Sequence, residues 1–311
     1  MPSRTTQGRE TAEPELSRAF AIGLKPLDPA TWIEPDDRLA AELAEKERLI
    51  AALPDVVFFA ETGSAAAQAE LRDLLAAHLA ATFPGLYRRQ GTEMAIAGVD
   101  RPVPLADPAV PPLLAAARLV QEDLVLMRRG AGGWRLAAGA VCFPSDWHLP
   151  DKAGRPIGEI HRPVPGYAAG TRNDAMIGRI FDNLKVDQPV WRGNWSLVGD
   201  DALYHGLAGA DGRPAARGAV PRFGADVTAA DVFLRRERQT LRRLPASGDI
   251  VFTIRITVEP VAALAERPER RALVAELARQ LAALDAGQRD YKGIGGSRDR
   301  LVAALAALAP A

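Results

Sequence analysis

The amino-acid sequence predicts an α+β fold, in which helices at both ends of the chain enclose a central set of strands. Leucines recur at helical spacing in the first part of the chain, and the segment 261–311 is rich in alanine and leucine. Between these ends, runs of β-branched and aromatic residues alternate with turn residues, and two of the runs carry a hairpin signal. Helices that are segregated from strands along a chain are typical of the α+β class.

The composition is that of an ordinary globular protein without net charge. The 311 residues include 39 basic and 39 acidic side chains, so electrostatics gives no reason to expect nucleic acid or an anionic membrane as a partner. Cys142 is the only cysteine, which excludes an internal disulfide and any metal site that needs several cysteines of this chain. The polar N-terminus lacks the apolar core of a signal peptide, and no run of about 20 residues is continuously apolar. We therefore expect a cytoplasmic protein.

The first half of the chain predicts a disordered lead followed by helices. The lead is residues 1–18, which are polar. Helices are predicted over 35–53, 64–82 and 112–127, with a short helix or strand at 56–59. His78 lies on the apolar stripe of the second helix, where a histidine at the edge of the core is more common than a ligand. The third helix is predicted to contain Gln121, Glu122 and Asp123.

The second half predicts the strands of the fold. They are expected over 134–143, 189–198, 231–244 and 249–258, with a helix over 173–184. Pro245–Gly248 joins the last two strands as a hairpin turn. The segment 144–170 is rich in proline and glycine but also carries aromatic residues and histidines, which indicates a functional segment. A Gly/Ala/Pro-rich loop is expected over 206–228.

One strand carries an unusual density of arginines, in the sequence LRRERQTLRRLP. In a strand, Arg236, Arg238 and Arg242 project to one face, and Glu237 projects to the other. Several guanidinium groups on one face favour a phosphate or carboxylate ligand. The alternative is a solvated charged edge that discourages strand aggregation. No phosphate-binding loop, dinucleotide fingerprint, nucleophile elbow or pair of helically spaced histidines accompanies it.

The strand PVWRGNWSLV carries a second set of candidates. Arg192 and Asn194 share one face of it, and Trp195 points to the other. A buried asparagine needs hydrogen-bond partners, so Asn194 is either a structural hub or a residue of a pocket.

His161 lies in the sequence EIHRPVPGY, where Pro163 and Pro165 restrict the backbone directly behind it. The residues leave two interpretations open. One is a core histidine bonded to the backbone; the other is the single axial ligand of a haem, for which one rigidly held imidazole is enough. Cys142 and His148 are the rival ligands, and the apolar surroundings of Cys142 favour a buried structural thiol.

An ordered set of motifs between roughly residues 20 and 260 resembles the haem-dependent oxidative N-demethylase family. The motifs are GLKPLD (Gly23 to Asp28), W-x-E-x-D-D (Trp32 to Asp37), VQEDL (Val120 to Leu124), VCFPSDW (Val141 to Trp147), IHRPVPGY (Ile160 to Tyr167), WRGNW (Trp191 to Trp195) and RRERQTLRRLP-x-SGDIVFTIR (Arg235 to Arg255). No single motif is specific, but their order and number are.

The resemblance implies a PAS-like antiparallel sheet core that binds haem b and oxidises a small secondary amine, such as dimethylamine, to a primary amine and formaldehyde. Electrons are implied to come from separate flavin and iron–sulfur reductase components. His161 is the implied metal ligand, and Arg192, Arg238 and Arg242 are expected to pair with the haem propionates. Trp195, Asn194 and Glu159 are the expected catalytic residues. Asp146 and Trp147 are further candidates for binding the amine.

The expected organisation is a lead (1–18), a haem-binding PAS-like domain (19–260) and a helical extension packed on the same domain (261–311). Two other functions remain open from the sequence. A haem-based gas or redox sensor would use the same cofactor, although no output module is visible in the sequence. A PAS-like protein without haem would bind a small molecule in the same pocket.

Overall fold

A computed structural model gives the fold of the chain. It describes residues 16–145, 147–206, 222–224 and 226–308. Most of the predicted lead, Asp146 and most of the predicted loop at 206–228 lie outside these ranges. Within the described ranges, helices and antiparallel strands are both present, which confirms the α+β class.

Two antiparallel sheets contain the described strands. In chain order the strands are β1 (Lys25–Pro26), β2 (Phe58–Ala60), β3 (Tyr87–Gln90), β4 (Glu93–Ile96), β5 (Val103–Pro104), β6 (Asp123–Gly130), β7 (Gly133–Ala140), β8 (Val190–Val198), β9 (Phe233–Arg243) and β10 (Ile250–Pro260). The main sheet has the order β1-β8-β9-β10-β6-β7-β2, and β3-β4-β5 form a small second sheet. The predicted hairpin is confirmed, because β9 and β10 pair along their whole length.

The helices lie before, between and after these strands. They are α1 (Leu39–Ala52), α2 (Pro54–Val57), α3 (Ala65–Thr82), α4 (Pro112–Ala117), α5 (Ile157–Ile160), α6 (Arg172–Asn183), α7 (Val261–Glu266), α8 (Arg271–Ala282), α9 (Ala286–Tyr291) and α10 (Arg298–Leu308). The helices predicted over 35–53, 64–82 and 173–184 are confirmed with small differences at their ends. Among the helices that the structure describes, none has the length and apolar character needed to cross a membrane.

The side chains of β9 alternate between the two faces of the main sheet. We call the face that carries Glu237, Gln239 and Leu241 the front face, and the face that carries Arg238 and Arg242 the back face. The two faces are covered by different parts of the chain, and this division determines where a ligand can bind.

Helices from the N-terminal part pack on the back face, and α5 and α6 pack on the front. Leu43 and Leu71 of the N-terminal helices share a buried cluster with Val251 of β10. Ile177 and Phe181 of α6 share another cluster with front-face residues of β6 and β9. The C-terminal helices form a third cluster, to which β8 and β9 contribute through Trp195, Leu197 and Leu234.

The predicted third helix is wrong in its second half, because Asp123 begins β6. Tertiary bonds in the buried turn before this strand explain the difference. Lys46 Nζ donates to the carbonyl oxygens of Val120 (2.9 Å) and Glu122 (2.6 Å), and the Asp123 carboxylate accepts from the N–H of Cys142 at 2.8 Å. These partners are distant in sequence, so local helical spacing could not reveal them.

The small sheet β3-β4-β5 was not predicted from the sequence. Its strands have two to four residues each, which is too short for a clear alternation of polar and apolar residues. Tyr87, Met94 and Ile96 are nevertheless buried against the N-terminal helices. The small sheet therefore extends the core on the back-face side.

Candidate active site

A cavity of about 290 Å³ lies between the front face of the main sheet and the segment that contains α5 and α6. Apolar side chains from both sides make up most of its wall. Those of the sheet include Val125, Met127, Leu241 and Phe252, and those of the opposite segment include Ile157, Ile160, Ile177 and Phe181. Such a wall, with a few polar groups, is typical of a pocket for a cofactor or small ligand.

His161 lines this cavity at the C-terminal end of α5, and its backbone is fixed on both sides. Its N–H donates to the carbonyl oxygen of Ile157 at 3.0 Å, and its own carbonyl oxygen accepts from Val164 at 2.8 Å. Pro163 and Pro165 restrict the following turn. The predicted rigid frame of His161 is therefore present.

The imidazole of His161 is neutral and open to the cavity. Its ring packs edge-on against Tyr167, with 6.1 Å between centroids, and among the described residues none hydrogen-bonds to its nitrogens. Burial lowers the pKa of His161 to about 4, and the positive charges of Lys152 and Arg192 act in the same direction against the opposite effect of Asp174. Neutral imidazole is the form that binds a metal.

Four cationic side chains also line the cavity: Lys152, Arg192, Arg222 and Lys292. Burial lowers the pKa of Arg192, and it lowers that of Arg222 to about 10, which leaves Arg222 charged at neutral pH. Arg192 Nη2 donates to the carbonyl oxygen of Ala21 at 2.9 Å, whereas its buried Nε has no partner within the described ranges. A cavity with this lining favours an anionic ligand.

Glu237 is the one carboxylate among the described residues that line the cavity. It lies opposite Asn194 in the pairing of β8 with β9. Asn194 Nδ2 donates to Glu237 Oε2 at 3.2 Å, and Gln239 Nε2 donates to the same oxygen at 2.7 Å. Two amides therefore hold the carboxylate in one orientation, and Oε1 accepts no hydrogen bond from any residue that the structure describes.

Residues 16–24, which we call the N-terminal strap, close one side of the cavity. Phe20 lines the cavity and has a positive φ of 58°, and its carbonyl oxygen accepts from the hydroxyl of Tyr167 at 2.7 Å. The N–H of Ala19 donates to Gln280 Oε1 of α8 at 2.8 Å. The strap is thus bonded both to the segment that holds His161 and to the C-terminal helices.

Of the three expected catalytic residues, two line the cavity. Asn194 faces into it, and Trp195 reaches its edge, where Lys292 Nζ lies 4.4 Å from the centroid of the indole ring. Glu159 does not line the cavity and is exposed. The helical turn explains this, because Ile157 and His161 lie four residues apart on the inner side of α5, which turns Glu159 to the outside.

Arg238 and Arg242 were expected beside Arg192, but they lie on the back face and do not line the cavity. Arg238 Nη2 donates to the carbonyl oxygen of Thr31 at 2.5 Å, and its Nε lies 3.3 Å from Glu34 Oε2. Their shared face is as predicted. The error has a clear origin: alternation within one strand shows which residues share a face, but not which face of the sheet borders the cavity.

The remaining candidates take different places. Trp147 lines the cavity, and Asp146 lies outside the described residues. His148 and Cys142 do not line the cavity, and burial raises the pKa of Cys142 to about 12, which keeps it a thiol. His205 is half-buried, and its Nε2 lies 3.5 Å from a carboxylate oxygen of Asp200.

Several lining residues were missed from the sequence, above all Glu237, Gln239 and Lys292. The sequence did contain a signal for Glu237, because the alternation of β9 puts it on the face opposite Arg236, Arg238 and Arg242. The interruption of the C-terminal helices at Tyr291–Gly296 was a second signal, because it positions Lys292 at the cavity.

The donor set of the cavity fits a haem. A neutral imidazole without a hydrogen-bond partner among the described residues offers a ligand for the iron, and the apolar wall suits the macrocycle. The excess of cations, including the unpartnered buried Nε of Arg192, suits the two propionates.

Residues 23–302 of the chain match the family model for the haem-dependent oxidative N-demethylase, alpha subunit-like. The matched range begins at the first motif of the set described above and continues beyond residue 260 through most of the C-terminal helices. The chain therefore belongs to the haem-dependent oxidative N-demethylase alpha subunit-like family.

Proposed function

We propose that the protein is a cytoplasmic monooxygenase that binds haem b in the front-face cavity and removes a methyl group from a small secondary amine. For dimethylamine, one O2, two electrons and two protons would convert the amine into methylamine, formaldehyde and water. The electrons would come from separate flavin and iron–sulfur components. The resemblance described above supports a PAS-like relationship for the sheet that carries the site.

One observation carries this proposal: a neutral, rigidly held imidazole faces an apolar cavity that also contains an excess of cations. His161 would hold the iron, and Arg192 would bind a propionate through its unpartnered Nε. The haem would supply oxygen activation. Tyr167 supports the arrangement, since it packs against the His161 ring and fixes the strap that closes the cavity.

Glu237 would bind the substrate. A small secondary amine is an ammonium ion at neutral pH, and the cationic side chains of the cavity repel it. Glu237 supplies the opposite charge, and the amides of Asn194 and Gln239 hold its Oε2 so that Oε1 is directed to a ligand. The apolar wall would position the methyl groups and exclude water from the reaction.

The decisive experiment is the absorption spectrum of the purified protein, followed by an assay of formaldehyde with a surrogate reductase and a panel of methylated amines. We expect stoichiometric haem b, a spectral shift on addition of dimethylamine, and release of formaldehyde. Protein that remains colourless after expression with a haem precursor contradicts the proposal. Tight reversible binding of oxygen or nitric oxide, without an effect of any amine, would identify a sensor instead.

Two variants test the substrate site separately from the haem site. Glu237→Gln keeps the size of the side chain and removes its charge, so we expect normal haem content but amine binding weakened by roughly 10- to 100-fold. Glu159→Gln is the matched control, because Glu159 is exposed and outside the cavity. Equal amine affinity in both variants would assign the substrate to another residue.

A further inference from the structure

A cluster of side chains with unsatisfied buried nitrogens lies on the back face, away from the cavity. Arg242 of β9 lies over the indole ring of Trp32, with 4.6 Å between its guanidinium carbon and the ring centroid. On α3, His78 packs against the same indole, with 5.3 Å between ring centroids. The three residues come from separate parts of the chain, and we call them the Trp32 cluster.

Each member of the Trp32 cluster has a buried nitrogen that lacks a hydrogen-bond partner among the described residues. These nitrogens are Arg242 Nε, Trp32 Nε1 and His78 Nε2. Trp32 is completely buried, with an exposed fraction of 0%. Buried donors without partners are rare in folded proteins, and each one needs an explanation such as a bound ion or water.

Arg242 differs from its neighbours on the back face in having no counter-charge. Arg238 bonds to backbone carbonyls and to Glu34, and Arg255 forms ion pairs with Glu42 and Asp36. Within the described ranges, Arg242 forms no hydrogen bond or ion pair. Burial alone lowers its pKa, with no carboxylate close enough to oppose the shift.

The chemistry of the free nitrogens defines what could satisfy them. Arg242 Nε–H and Trp32 Nε1–H can only donate hydrogen bonds. His78 Nδ1 lies 3.4 Å from the Thr82 hydroxyl, and in the tautomer in which Nδ1 accepts, Nε2–H is a third donor. Two or three donors beside one guanidinium charge suit a ligand that has negative charge and more than one acceptor oxygen.

We propose that the Trp32 cluster is a binding site for a small oxyanion, a phosphate or carboxylate group, separate from the haem cavity. The guanidinium of Arg242 would supply the charge, and the indole N–H of Trp32 would supply a directional donor. The site is independent of the proposed demethylase activity, because its residues lie on the opposite face of the sheet and none of them lines the cavity.

The test is calorimetric titration of the haem-loaded full chain with inorganic phosphate and, separately, with acetate, at constant ionic strength. We expect binding of at least one of them, and the tighter one identifies the chemistry of the natural group. Arg242→Met should weaken that binding by about 10-fold or more, because a charge-assisted hydrogen bond is lost. Trp32→Phe, which keeps an aromatic ring under the guanidinium, should weaken it by a smaller factor.

Arg101→Met is the matched control, because Arg101 is exposed and lies outside both sites. Absence of binding by the wild type overturns the proposal and assigns the free donors to water. Equal affinity in Arg242→Met and Arg101→Met also overturns it. A change of the haem spectrum or haem content on addition of phosphate would place the anion in the cavity instead. If Arg242→Met does not fold, Arg242→Lys, which keeps the charge but lacks the Nε donor, answers the same question.

Discussion

The front and back faces of β9 differ in how their charged side chains are paired. On the back face, Arg238 is bonded to backbone carbonyls and to a carboxylate, and Thr240 shares a 2.6 Å hydrogen bond with Thr253 of β10. On the front face, Glu237 is oriented by two amides and faces a cavity lined by cations.

This contrast separates polar groups that stabilise the fold from polar groups that are positioned for a ligand. Apart from Arg242, the back-face arginines find their partners within the protein, so their loss should reduce stability. The front-face groups that line the cavity are oriented but only partly paired, so their loss should reduce ligand binding and leave stability nearly unchanged.

The largest expected effect is on the front face. Replacement of His161 by Ala should abolish stoichiometric haem binding in a Soret titration, because the iron loses its protein ligand. Even outer-shell changes at metal sites typically weaken affinity by about 10- to 100-fold, and loss of the ligand itself should exceed this. The thermal midpoint of the apoprotein should change little. His148→Ala is the control, and loss of haem from that variant alone would show that the ligand is His148.

The next effect is on the back face. Arg255 is 4% exposed and lies 2.9 Å from Glu42 Oε2, so Arg255→Met removes the nearer of the two arginines that pair with this buried carboxylate; the other, Arg38, lies 3.6 Å from Oε1. We expect the free energy of unfolding, measured with urea, to fall by about 3–5 kcal/mol. The double variant Glu42→Gln/Arg255→Met should recover part of this loss. Weaker haem binding by the folded fraction of Arg255→Met would contradict the separation of the two faces.

A pair of arginine variants compares the faces directly. Arg238→Met should lower the free energy of unfolding by about 1.5–3 kcal/mol, because charge-assisted hydrogen bonds are lost, and should leave haem affinity unchanged. Arg192→Met should instead weaken haem binding by about 10-fold, with a smaller effect on stability. If a haem titration instead shows weaker haem binding by Arg238→Met, and urea denaturation shows the larger loss of stability for Arg192→Met, then Arg238 belongs to the cofactor site.

The smallest expected effect concerns pH. Burial raises the pKa of Asp123 from 3.8 to about 6, although Lys46 and backbone N–H groups oppose the shift. The folded state therefore binds this proton more tightly than the unfolded chain does, and the stabilisation is lost as pH rises through the folded pKa. Between pH 5 and pH 7 the wild type should lose about 1 kcal/mol relative to Asp123→Asn. If the curves of unfolding free energy against pH are parallel for the wild type and Asp123→Asn, then Asp123 does not titrate in this range.

The sequence predicted most of the elements of the main sheet, because long strands such as β9 and β10 show alternation and a turn signal within a few residues. It failed where distant partners decide the structure. Asp123 is the first residue of a strand and does not belong to a helix, because Lys46 and the backbone at Cys142 form hydrogen bonds with this turn. Such partners lie far away along the chain and leave no local pattern.

The candidate site shows the same limit. The restricted backbone at His161 could be predicted from the sequence, because prolines act locally on the backbone. The grouping of Arg192 with Arg238 and Arg242 was wrong, because it required the relative orientation of two strands. In the pairing of β8 with β9, Arg192 lies opposite Gln239 and Asn194 lies opposite Glu237. Neither residue of β8 therefore has an arginine of β9 opposite it. Register depends on packing of the whole sheet.

The bond between the N-terminal strap and α8 has a consequence for the order of events during synthesis. Ala19 and Gln280 are 261 positions apart in the chain, yet their hydrogen bond helps to hold the strap against the cavity. A ribosome makes the chain from the N-terminus, so this wall cannot be completed until α8 has emerged. Haem capture by the finished cavity would therefore follow the synthesis of α8, and a chain truncated before α8 would lack this support for the N-terminal strap.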